Sequence, residues 1–130
     1  MSMTNALFGF SGRLPRIEYF GLTIIALILL FIAGFFAYLM LSPAAMDSAI
    51  YVLGALACWI SAAVTAKRLQ DFGMPGWNAI WIVAIQAAAG WTASTGPMAT
   101  ILGLASTGLG LWLLFMRGES GKNAYGPEPQ

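Results

Sequence analysis

Histidine does not occur in this sequence of 130 residues, cysteine occurs once, and only 8% of the residues are charged. Each shortage excludes something. Without an imidazole, the chain lacks the usual general base, the commonest metal ligand and the ordinary pH switch. A single thiol, Cys58, permits no internal disulfide and assigns no redox compartment. A water-soluble domain covers itself with about a quarter charged residues. At 8% charged against 59% apolar, the exterior here cannot be hydrated, so its solvent has to be lipid. Six Lys and Arg against five Asp and Glu leave a net charge of +1, with no basic stripe, and nucleic acid is not an expected partner.

What the sequence has in quantity is long apolar runs. A helix of roughly 20 apolar residues spans the ~30 Å hydrocarbon core of a bilayer. Residues 20–41 form one such run, punctuated by Ser42 and Pro43, and residues 48–66 form a second, stopped by Lys67 and Arg68. A third, shorter run over 77–93 is marked by Trp77, Trp81 and Trp91, whose amphipathic rings favour the headgroup level. Residues 98–116 form the fourth, ending at Arg117. The first run is too long for the core of a cleaved signal and reads as an uncleaved signal anchor. The expected architecture is a single all-α membrane domain over 1–130, a four-transmembrane-helix bundle with both termini cytoplasmic. Segments 1–19, 67–76 and 117–130 then lie inside.

That orientation follows from the positive charges. Arg13, Arg16, Lys67, Arg68, Arg117 and Lys122 all fall on one face if the chain crosses four times. Part of this bias follows from the greater length of the inner segments. The remaining weight comes from the alternative: without a third crossing, Arg117 and Lys122 would lie outside. For packing, Gly54, Cys58, Ala62 and Ala66 recur every four residues, and Gly103, Thr107 and Gly110 offer a second small-residue surface. Gln86 is the amide near the middle of a run, whereas Asn78 stands at the edge of the same one. Gln86 reads as an interhelical hydrogen-bonding group, or as a polar point on a substrate path.

The inner segments carry the polar motifs. FGFSGRLPRIEYF covers residues 8–20, KRLQDFGMPGW covers 67–77, and RGESGKNAYGPEP covers 117–129. Gly9, Gly12 and Pro15 argue for a turn into the membrane, not one long helix. Arg68 and Asp71, three apart, share a face if the second helix runs one turn past the bilayer. The third segment, rich in glycine and proline, is expected to be extended or turn-rich, with Tyr125 as its only large anchor.

In the order GRxxRxEYF, RLxDxGxxGW and GxNxYGP, these motifs resemble the bacterial inner-membrane proteins grouped as domain of unknown function 805, over nearly the whole chain. The matching positions are Gly12, Arg13, Arg16, Arg68, Leu69, Asp71, Gly73, Gly76, Trp77, Asn123, Tyr125 and Gly126. Where that family commonly carries a histidine, between the leucine and aspartate of the second motif, Gln70 stands here. The resemblance implies a bacterial inner-membrane location but no activity.

The candidate interaction cluster comprises Arg13, Arg16, Glu18, Arg68, Asp71, Trp77, Asn123 and Tyr125. Three readings of it compete: ion pairing that closes the bundle, recognition of an anionic lipid or a partner protein, and lipid-modifying catalysis by Glu18, Asp71 and Glu119. No catalytic, cofactor-binding or metal-ligating residue is assigned, and no cofactor is expected. The favoured function is a non-enzymatic membrane module that binds lipid, a partner protein or a second copy of itself. Transport by an oligomer is the alternative, although no span carries the carboxylate that proton coupling requires.

Overall fold

The computed structural model describes residues 2–92 and 96–129, and among these every named element is helical. A short helix α1, Met3–Phe8, opens the chain, with the Ser2 hydroxyl accepting the Asn5 N–H at 3.2 Å. Extended chain then leads to Pro15, whose fixed backbone precedes α2, Arg16–Met40. Glu18 sits in the first turn, where its charge complements the helix dipole. Ser42 and Pro43 separate α2 from α3, Pro43–Asp71, by capping and starting the latter. A 3-10 turn, Gly76–Asn78, opens into α4, Ala79–Trp91, and α5 runs Pro97–Phe115.

The end of α3 is built by local chemistry. Gly73 takes φ +75°, its N–H donates to Gln70 O at 3.1 Å, and the Met74 N–H donates to Leu69 O at 2.9 Å. This pair of bonds is the Schellman stop, which needs glycine at the left-handed position. The Ser42 cap and the Gly73 stop, not hydropathy, therefore set the ends of α3, which extends past both ends of the run expected at 48–66. α2 likewise starts before the run expected at 20–41, at the residue after Pro15. Arg16 and Glu18 lie in the first turn of α2, and Lys67 to Asp71 lie in the last turns of α3, within helix and not in connecting segments.

Three helices, α2, α3 and α5, are long and apolar enough to cross a membrane, and little of their apolar windows is buried: 11%, 28% and 6%. The third run differs: α4 has 13 residues, about 20 Å of rise, which is short of a full crossing by itself. The end of the run expected at 77–93, and the start of its connection to the run at 98–116, lie outside the described residues.

Consecutive long helices pack on one another, and α5 also reaches α2 and α3. The Leu14 N–H donates to Lys67 O at 3.2 Å and the Glu119 N–H to Asp71 O at 2.7 Å. The start of α2, the end of α3 and the end of α5 therefore meet at one end of the molecule. Both buried apolar clusters lie toward this end: Leu7, Leu14, Leu22 and Ile60 with their neighbours, and Leu69, Ile82 and Leu113 with theirs. The small-residue surfaces behave differently from expectation. Ala66 is buried and Ala62 half-buried, but Gly54 and Cys58 are exposed, and a Cβ added at Gly54, Gly103 or Gly110 would meet nothing. Close packing along the α3 stripe is therefore confined to Ala62 and Ala66.

Candidate functional site

Among the largest fully buried side chains of this apolar molecule are Arg68 and Lys67. They sit in the last turns of α3, where the helix runs on after its apolar stretch ends. One turn later comes Asp71, also buried. The i,i+3 spacing lets Arg68 Nη1 donate to Asp71 Oδ2 at 2.7 Å. Arg13, from the extended segment before α2, approaches from the other side and donates through Nε to Asp71 Oδ1 at 3.0 Å. One carboxylate thus bridges two guanidinium groups, one oxygen each.

Three buried cations against one carboxylate leave positive charge to be balanced, and backbone carbonyls do it. Arg68 also donates to Leu113 O at 2.7 Å, to Leu14 O at 3.2 Å and to Met116 O. Arg13 donates to the carbonyls of Glu119, Gly121 and, at 3.5 Å, Gly126. Lys67 donates to Asn5 O at 2.8 Å and to Ala6 O. Charge-assisted bonds of this kind are roughly twice as strong as neutral ones. Here they tie α1, the segment before α2, the end of α5 and the C-terminal tail to a single helix terminus.

Side-chain amides complete the knot. Gln70 donates through Nε2 to Phe10 O at 2.9 Å, and Asn123 donates to Gln70 O at 2.9 Å while its own oxygen accepts the Tyr125 N–H at 2.9 Å. Among the described residues, buried Gln70 Oε1 has no donor. The tail backbone passes so close to Asp71 that a Cβ on Gly118 would overlap its carboxylate.

Of the expected cluster, Arg13, Arg68, Asp71 and Asn123 come together in this knot. Arg16 lies exposed at its rim, on the first residue of α2. Glu18 is exposed on the same turn, and among the described residues it joins neither ion pair. Trp77 is 67% exposed on the 3-10 turn, and Tyr125 is half-buried in the tail turn between Asn123 and Gly126. Gln86 lines a cavity of about 180 Å³ with Tyr19, Thr23, Ser61 and Thr65, and no interhelical bond from it is formed among the described residues. Lys67, Leu14 and Gly118 are central to the knot but lay outside the expected cluster. Lys67 reads in sequence as a stop charge, and its burial depends on α1 folding over it.

Chemically the knot is closed. Its carboxylate is bonded to two cations, and its cations are engaged with carbonyls. Beside it lies an open groove of about 330 Å³ whose rim carries Arg16, Arg117, Ser120, Glu119 and Glu128.

Comparison with curated proteins gives no match, and neither does comparison with solved structures. The family described as Protein of unknown function (DUF805) matches residues 7–127, a stretch that takes in Arg13, Arg68 and Asp71 and helices α2 to α5. The chain belongs to that family.

Proposed function

We propose that this chain is a non-enzymatic, four-pass protein of the bacterial inner membrane, with both termini on the cytoplasmic side, whose inner face holds a lipid or a protein partner. The observation that carries the reading is the knot. Its cations are spent on ordering the N-terminal segment and the C-terminal tail, which makes the polar end a fixed platform and leaves Arg16 and Arg117 facing outward. Residues that hold a surface in shape while directing free guanidinium groups away from it suit recognition better than catalysis.

Four crossings are supported by connectivity. The ends of α3 and α5 meet at one end of the molecule. If both helices cross the bilayer, the chain between them has to return across it, whatever the helical length of α4. The 3-10 turn extends the 13 residues of α4 on the polar side.

Crosslinking in native membranes tests the platform. A specific partner or lipid adduct is expected with the native chain, and its yield should fall strongly in an Arg16→Gln/Arg117→Gln variant. An unchanged adduct pattern sinks the reading. A reporter fused after residue 130 tests the topology separately: activity that depends on export would end the four-pass arrangement.

A further inference from the structure

The groove beside the knot has a definite chemistry. Its lining includes Arg13, Arg16, Arg68 and Arg117 together with Asp71, Glu119 and Glu128. Near charge balance would make this groove unremarkable if the charges paired, but the carboxylates are committed elsewhere. Asp71 is shared by Arg13 and Arg68. Glu128 accepts the Gly121 N–H at 2.7 Å. Glu119 turns toward the stop of α3, so that a Cβ on Gly73 would lie 2.6 Å from its Oε2. Among the described residues, Arg16 and Arg117 therefore make no ion pair.

Two exposed guanidinium forks on one groove are matched by a group with several anionic oxygens. Position narrows the choice. Arg16 begins α2 and Arg117 follows the end of α5, each where an apolar helix meets polar chain. On the membrane reading above, on which this inference rests, that is the depth of lipid phosphates. We propose that Arg16 and Arg117 form a site for the phosphate of an anionic phospholipid, with the Arg13–Asp71–Arg68 knot fixing their spacing. A volume of about 330 Å³ admits a phosphate with the groups esterified to it.

The test uses the full chain in nanodiscs of phosphatidylcholine, alone or doped with phosphatidylglycerol, with bound lipid counted by native mass spectrometry. Each arginine near an anionic surface is worth about fivefold in affinity. The native chain should retain phosphatidylglycerol selectively, and Arg16→Gln/Arg117→Gln should lose at least about tenfold of that selectivity at an unchanged unfolding temperature. Lys122→Gln removes the same charge from the same tail outside the groove and should change little. Arg117→Lys, which keeps charge but not the fork, should fall between. Equal losses from Lys122→Gln and Arg117→Gln would reduce the effect to general surface attraction and overturn the site, as would full retention by the double variant. Displacement of the lipid by inorganic phosphate would assign the groove to the free anion and overturn the lipid. If lipid selectivity is absent while the native-membrane crosslink persists, the phosphate site fails and the platform reading stands.

Discussion

The two ends of this molecule invert the usual rule of burial. Along the apolar lengths of the helices, large hydrophobic side chains face outward: Phe31 is 74% exposed, Tyr38 73% and Met40 80%. At the polar end, Arg68 and Lys67 are completely enclosed. In lipid there is little force driving apolar side chains together, so large hydrophobic groups can stay on the outer surface of the helices. Charges that leave water, by contrast, have to be met by partners, and meeting them draws four separate chain segments to one point. The contrast teaches that specificity of fold resides here in the polar end, while the apolar lengths provide compatibility with the solvent.

Substitutions at the two ends should differ accordingly. The largest effect is expected from Asp71→Ala, which strands two buried guanidinium groups and should lower stability by about 3–5 kcal/mol in thermal unfolding of the detergent-solubilised protein. A loss below 1 kcal/mol would mean that the carbonyls alone hold the knot. Next comes Leu29→Asp, a charge placed midway along α2, for which membrane insertion should become less favourable by about 3 kcal/mol in a glycosylation-based insertion assay. Normal insertion would show that this surface does not face lipid. Gly118→Ala should cost about 1–3 kcal/mol, because the new methyl group would displace the Asp71 carboxylate or the tail. Proteolysis of the tail should accelerate in that variant. Smallest of all, Gly103→Ala should change stability by no more than about 0.5 kcal/mol, since its Cβ would enter open space. A large loss there would point to a helix partner supplied by another chain.

Much of the apolar region was legible from hydropathy alone. Runs without charge become helices because the backbone has no other way to satisfy itself in lipid, and α2, α3 and α5 fall where those runs lie. The pairing of Arg68 with Asp71 was legible too, being a local i,i+3 contact that needs only continued helix. The small-residue surfaces were misleading beyond Ala62 and Ala66: a four-residue repeat defines a stripe on a helix but does not say whether another helix covers it. The role of Lys67 was hidden for a similar reason. Its ligands, the carbonyls of Asn5 and Ala6, lie about sixty residues away and carry no side-chain signature.

Composition therefore determined by itself that the chain needs an apolar solvent, and periodic charge-free runs determined which segments become long helices, because both properties are local and additive along the chain. Only the tertiary structure decided that Arg13 and Arg68 share one aspartate, that eight distant carbonyls balance the excess charge, and that Arg16 and Arg117 are left facing outward. A carbonyl is present at every residue, so which of them a cation reaches depends on how the segments come together in space.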